Sequence, residues 1–188
     1  WITSSASAGS LITESATDKY RFLVDRYQEP SLALALSVIK DPAEAEDVIQ
    51  EAFVKAYKNL ARFQGQSAFS TWLYRIVVNT AYTAAKRRKR RSKFNEEYAH
   101  VAHSAPGIPL QELSNKERRQ KIREVLSRMK PKESLALRLY YLGEQSIPEM
   151  AQVMDISLSN AKVLLHRARK SFDKKLERDL GGEKYNLL

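Results

Sequence analysis

Trp72, Arg75, Asn79, Tyr82 and Lys86 recur at steps of three or four residues. On a helix, that spacing lines aromatic, cationic and amide groups along one face. Aromatic rings stack on unpaired bases and cations hold phosphates, so the pattern suits single-stranded nucleic acid. The stripe runs into Lys86-Arg87-Arg88-Lys89-Arg90-Arg91-Ser92-Lys93, seven basic residues in eight. The residues alone leave a plainer reading open, with Trp72 in a core and Tyr82 as packing.

A second group lies nearer the C-terminus. Ser159, Asn160, Lys162, Val163, His166 and Arg167 share the outward face of one expected helix. Asn can read adenine through two hydrogen bonds, and Arg or Lys can read guanine. Residues 162–178 hold seven basic and two acidic side chains. Just upstream, Met150 and Ala151 face inward on a short helix that Met154 ends. Asp155 falls where the chain must turn, often with φ > 0, which Asp tolerates better than most residues. Ile156 plugs the corner, and Ala161 and Leu164 bury one face of the second helix. This is helix-turn-helix spacing, whose second helix enters the major groove. A solvated amphipathic helix in a bundle is the plainer alternative.

Asp41, Glu44, Glu46, Asp47 and Glu51 make an acidic half-helix in an otherwise basic protein. It reads as a helix start favoured by the macrodipole or as a docking face for a basic partner. A metal site would need a matching His or a second carboxylate cluster. His100 and His103 lie in an expected linker without other ligands, and His166 lies on the expected recognition helix. There is no cysteine, which removes thiolate zinc sites and cysteine nucleophiles. No Gly-rich phosphate loop is present either. The sequence points to no metal, cofactor or catalytic constellation.

The 188 residues carry a net charge of +10 and a pI near 9.7, which favours nucleic acid first and an anionic membrane surface second. No apolar run approaches the ~18 residues that span a bilayer. With 43% hydrophobic residues the chain can bury a real core.

The elements that position these groups are helical almost throughout. Residues 1–13 are small and polar and read as an unstructured start or a cloning remnant, not a signal peptide. A helix is expected over about 15–27, anchored by Phe22, Leu23 and Tyr27 and interrupted by Pro30. Ser31 opens the next. Asp41-Pro42 is an N-cap followed by Pro at N1, with Glu44 placed for a capping box. That helix carries Val48, Ile49, Ala52, Phe53, Ala56, Tyr57 and Leu60 as one stripe. Ser70 is expected to cap the helix bearing Leu73, Ile76, Val77, Thr80, Ala81 and Ala84. Ile122, Val125, Leu126 and Met129 form another stripe, and Pro131 opens a helix that Gly143 ends. Ser146 caps the first helix of the helix-turn-helix. The fold class is all-α: two small helical domains, 14–92 and 112–182, joined by a flexible linker at 93–111, with a tail at 183–188.

Three stretches, in order, resemble bacterial sigma factors of the extracytoplasmic-function (ECF) class of the sigma-70 family. They are Ala45-Glu46-Asp47-Val48-Ile49-Gln50-Glu51-Ala52-Phe53-Val54-Lys55-Ala56-Tyr57, Phe63-Gln64-Gly65-Gln66-Ser67 through Asn79, and Ser146-Ile147-Pro148-Glu149-Met150-Ala151 through Arg169. The resemblance implies a sigma region 2-like bundle and a sigma region 4-like helix-turn-helix domain. It implies binding to core RNA polymerase, with Asp41, Glu44, Asp47, Gln50 and Glu51 docking on the β′ clamp helices and a further contact to the β flap. Minus-ten DNA, melted with a base flipped out, would meet Lys55, Phe63, Gly65, Gln66, Ser67, Trp72, Arg75, Asn79, Tyr82 and Lys86. Minus-thirty-five duplex would meet Ser159, Asn160, Lys162, Val163, His166 and Arg167. An anti-sigma factor and a cytoplasmic location are further implications.

The sequence departs from the commonest family pattern at reading positions. Gln64 and Gln66 stand where many members have Arg and Asp, and Asn160, Lys162 and His166 replace frequent Thr, Arg and Phe. These differences bear on promoter sequence, not on fold. A stand-alone helix-turn-helix regulator would account for 112–182 but not for the acidic helix or the loop at 61–69. An enzyme acting on nucleic acid has no supporting constellation. The linker is expected to leave the two domains free to reorient; the alternative is that they pack together until polymerase, or loss of an inhibitor, separates them.

Overall fold

The computed structural model describes residues 6–94 and 115–180. Seven α-helices follow in order among them: α1 (Ala6–Ile39), α2 (Pro42–Asn59), α3 (Phe69–Phe94), α4 (Asn115–Ser127), α5 (Pro131–Tyr141), α6 (Ile147–Met154) and α7 (Leu158–Leu180). A 3-10 turn, Leu60–Arg62, follows α2.

α2 begins as the sequence dictates. Asp41 is extended, and its Oδ1 accepts from the Glu44 N–H at 2.9 Å, with Pro42 opening the helix. The expected capping box is half formed, because the Glu44 carboxylate turns to Arg88 at 2.9 Å. Ala45, Val48, Ile49, Ala52, Phe53 and Ala56 are buried along one side. α3 buries Leu73, Val77, Thr80 and Ala81, and also Thr71, Tyr74 and Val78. It therefore has two buried sides: it packs on α1 and α2, and also on α6. α5 sits between α1 and α7.

Pro30 does not break α1; it lies inside it. Proline removes one helix hydrogen bond and costs about 3 kcal/mol. Downstream of it, Leu34, Ala35, Val38 and Ile39 are all in the core, and this packing outweighs the local penalty. The helix also takes in part of the 1–13 stretch expected to be unstructured. From Ala6 to Glu29 no Pro occurs, and the one glycine, Gly9, opposes helix by about 1 kcal/mol.

Other expectations are corrected. Phe22, Tyr57 and Ile122 are exposed, not anchors, because each sits at the margin of its helix's apolar stripe. Ser70 does not cap α3, which starts one residue earlier; its hydroxyl accepts from Gln145 Nε2 at 3.1 Å. Leu165, adjacent to the expected Leu164, is the fully buried leucine of α7. The linker at 93–111, with His100 and His103, lies almost wholly outside the described residues, as does the tail at 183–188.

The two halves do not stand apart in this structure. One core cluster runs from Leu34, Val77 and Tyr74 through Leu135, Leu139 and Met150 to Leu165 and Ala168. Polar bonds cross the same seam: Arg138 Nη1 donates to the Ala33 carbonyl at 2.8 Å, and Lys40 Nζ to the Ser127 and Met129 carbonyls at 2.9 and 3.0 Å. The halves pack because α3 and α5 each carry apolar residues on a second side: that of α3 meets α6, and that of α5 meets α1. In this structure the halves are packed against each other.

Candidate nucleic-acid interface

The helix-turn-helix is built from its turn outward. Ser146 N-caps α6 with a full capping box: its N–H donates to Glu149 Oε2 at 2.9 Å, and its Oγ accepts from the Glu149 N–H. The Ser146 hydroxyl, which donates to Glu149 Oε2 at 2.6 Å, and then the Ser146 N–H hold the Glu149 carboxyl below the usual glutamate range. Asp155 ends α6 in the left-handed region, φ 52° and ψ 52°, as its position in the motif requires. Ile156 is half-buried beside it and donates its N–H to the Ala151 carbonyl at 3.1 Å. Ser157 Oγ accepts from the Asn160 N–H at 3.3 Å and starts α7. Ala161, Leu165 and Ala168 bury one side of α7. Ser159, Asn160, Lys162, Val163, His166 and Arg167 are all exposed. The structure brings the six expected readers to solvent along the N-terminal half of one helix.

The α3 surface is likewise assembled from its buried side. With Leu73, Val77 and Ala81 inward, Arg75, Asn79, Tyr82 and Lys86 are exposed and Trp72 is half-buried. Burial of part of the Tyr82 ring raises its phenol pKa. Phe63 packs beside Trp72, ring centroids 5.1 Å apart, and edge-on to Phe69 at 5.7 Å. Tyr27 of α1 closes this aromatic group from behind, 5.5 Å from Phe69. The loop between them turns at Gly65, whose φ of 68° favours glycine. Gln66 Nε2 donates to Gln64 Oε1 at 3.1 Å across that turn, and Ser67 is half-buried. Lys55 reaches over from α2: Nζ donates to Thr80 Oγ1 at 3.3 Å and pairs with Glu51 at 2.7 Å. Lys55 thus lies against the turn of α3 that carries Asn79.

The five residues expected to dock polymerase do not share one environment. Asp41 is a helix cap, Glu44 holds Arg88, and Glu51 holds Lys55. The Glu51 carboxyl is kept low chiefly by the Lys55 hydrogen bond, with Arg87 adding to it. Asp47 and Gln50 are exposed, and Glu46, Val54 and Tyr57 are exposed with them. Steps of three and four from Asp47 through Gln50 and Val54 to Tyr57 make one stripe. The sequence reading missed Val54 and assigned Tyr57 to the core; extending the stripe from Asp47 finds both.

Among the described residues there is no group of metal-ligating side chains, and no helix is long and apolar enough to cross a membrane.

Among the described residues the chain is all-helical and carries a helix-turn-helix behind an aromatic and cationic helix. The Sigma-70 region 2 family model matches residues 23–91, and the Sigma-70, region 4 model matches residues 119–172. The chain is 34% identical over 170 residues to the RNA polymerase sigma-H factor of Pseudomonas aeruginosa, covering 85% of this chain and 88% of that protein. It is 34% identical over 166 residues to the ECF RNA polymerase sigma-E factor of Escherichia coli K12, covering 84% and 86%. Two solved structures share the fold. One is the sigma factor RpoE of Bartonella quintana, solved in complex with the anti-sigma factor NepR (TM-score 0.70, 19% identity, 86% of this chain and 98% of that one). The other is CnrH in complex with the cytosolic domain of CnrY (TM-score 0.60, 21% identity, 87% and 90%). The chain belongs to the ECF class of sigma-70-family RNA polymerase sigma factors. It is a transcription initiation factor that directs RNA polymerase to promoters.

Proposed function

We propose that the two halves divide promoter recognition between them. The exposed face of α3 with the loop at 61–69 reads and opens the minus-ten element. Lys55, Phe63 and Asn79 surround the flipped base, and Trp72, Arg75, Tyr82 and Lys86 follow the single strand. The exposed face of α7 reads minus-thirty-five duplex through Ser159, Asn160, Lys162, Val163, His166 and Arg167. α2 docks on the β′ clamp helices through Asp47 and Gln50, with Val54 and Tyr57 beside them, and the C-terminal half meets the β flap. The observation that carries the reading is the pairing of two solvent-facing surfaces, each backed by a buried side of its own helix. An anti-sigma factor controls the protein, as the complexes of RpoE with NepR and of CnrH with CnrY suggest by analogy. The work is done in the cytoplasm, where core polymerase is.

Run-off transcription from promoters altered in one element at a time tests the division. Arg167→Ala loses discrimination at minus-thirty-five, and Asn79→Ala loses it at minus-ten. Loss of the same element by both variants overturns the assignment.

A further inference from the structure

Val163 lies at the centre of the exposed face of α7. At ~100° per residue, the buried Ala161, Leu165 and Ala168 stand ~160°, ~200° and ~140° round the helix from it. Val163 therefore points almost straight away from the core. Its neighbours three and four residues away are Ser159, Asn160, His166 and Arg167, all polar and all exposed. Val163 itself is 49% exposed, an aliphatic side chain open to solvent inside a polar ring. Of the six candidate readers it is the one whose side chain makes no hydrogen bond. Leu158 is nearly as exposed, at 45%, but it lies ~140° round the helix from Val163 and so off this face. Exposure alone is ordinary for a single apolar residue; the position of Val163 is what sets it apart.

A side chain at that position meets the floor of the major groove when α7 enters it. Base edges there offer donors, acceptors and one apolar group, the C5-methyl of thymine. Over cytosine N4, or over guanine N7 and O6, Val163 would strip water from polar atoms and give no bond in return. Over thymine it buries methyl against methyl. Its branched Cβ strongly favours one rotamer in a helix, so the contact surface is set before DNA arrives.

Resting on the proposed reading of minus-thirty-five duplex by α7, we propose that Val163 selects a T·A pair by contact with the thymine methyl. At ~1.5 Å per residue, Asn160 lies ~4.5 Å along the axis on one side and Arg167 ~6 Å on the other. At ~3.4 Å per base pair, the selected pair falls within about two pairs of those that Asn160 and Arg167 meet. Val163 thus fixes a base that none of its polar neighbours needs to read, and with it part of the promoter sequence this chain accepts.

To test this, holoenzyme selects its promoter from duplexes randomised over both elements. In the selected duplex each thymine of the minus-thirty-five element, on either strand, is replaced in turn by deoxyuridine, which lacks the C5-methyl. Holoenzyme affinity is read by competition in fluorescence anisotropy. One replacement is expected to weaken the wild type about fourfold, the size of one buried methyl group. Val163→Ala binds the thymine and deoxyuridine forms equally at that position, and Val163→Ile restores the difference. Both variants keep wild-type helical circular dichroism, because the side chain is exposed. Indifference of the wild type to every replacement overturns the proposal. So does a selected element without thymine on either strand, or undiminished sensitivity in Val163→Ala. In those three cases, binding that still depends on the minus-thirty-five sequence leaves the α7 reading standing. Binding indifferent to that sequence altogether overturns both.

Discussion

Thr71 and Gln145 are 74 residues apart in the chain, yet the Thr71 hydroxyl donates to the Gln145 side-chain oxygen at 2.8 Å in a buried site. Thr71 is in the first turns of the helix bearing the minus-ten face. Gln145 directly precedes the cap of the helix-turn-helix. The bond thus joins the roots of the two proposed reading surfaces. Thr71 also lies 3.2 Å from Glu149, the residue that closes the Ser146 capping box.

Glu149 therefore serves a cap and a seam. Glu149→Ala is expected to cost about 1 kcal/mol through the lost cap, read as a lower midpoint in urea. The wild-type dependence on pH has a definite sign. The folded-state carboxyl is held low, first by the Ser146 hydroxyl, then by the Ser146 N–H and Thr71. Its stabilisation is complete at neutral pH and is lost as pH falls through the ordinary glutamate range and below. The difference between wild type and Glu149→Ala should shrink on acidification; a difference that grows would contradict the capping role.

Gly143→Ala tests packing instead of polarity. The new Cβ would lie 2.9 Å from the Leu139 carbonyl oxygen and 3.1 Å from Tyr74 Cε2. The first contact is with backbone of the same half, and the second crosses the seam. A loss of about 1–3 kcal/mol is expected from overpacking. It should appear in thermal unfolding of the whole chain. An unchanged midpoint would mean that the close approach is not maintained in solution.

At the two DNA surfaces, loss of one base-reading contact should cost about 1–3 kcal/mol and relax specificity at one position. Arg167→Ala is expected to weaken isolated minus-thirty-five duplex, measured by fluorescence anisotropy, and to leave capture of a minus-ten single strand in the holoenzyme unchanged. Asn79→Ala should do the reverse. The exposed basic stretch at Lys86–Arg91 should make residual binding steeply dependent on salt.

Much of this was legible in the sequence where local rules act alone. Asp41-Pro42 marked the start of α2, and Ser146 with Glu149 marked α6. Asp155 marked the left-handed turn. Period 3.6 placed Arg75, Asn79 and Lys86 outward. Three of the failures come from tertiary packing. Pro30 argues for a break by local rules, and only the core burial of Leu34 and Ile39 overrules it. Ser70 looked like a cap because its use as an acceptor for Gln145 depends on a residue 75 positions away. Arg138 sits among apolar residues of α5, and nothing in its own segment says that its partner is a carbonyl of α1.

The acidic helix shows the same limit, and it supplies the sharpest test. By composition, Asp47 and Glu51 looked equivalent, one turn apart and both charged. The structure separates them. Asp47 is exposed on the stripe that continues through Gln50 to the apolar Val54, which is 52% exposed. Glu51 instead holds Lys55, which in turn reaches Thr80 beside Asn79. Asp47→Lys should weaken core polymerase binding several-fold and leave helical circular dichroism unchanged, since an exposed charge away from special features usually changes stability by less than ~0.5 kcal/mol. Glu51→Gln should leave core affinity near wild type. Its effect should fall on Lys55, whose charge it frees, and so on the salt dependence of minus-ten strand capture. Measuring core affinity and strand capture for both variants in parallel decides the matter. Equal loss of core affinity in the two variants would return Glu51 to the docking face and leave Lys55 without a role for its partner.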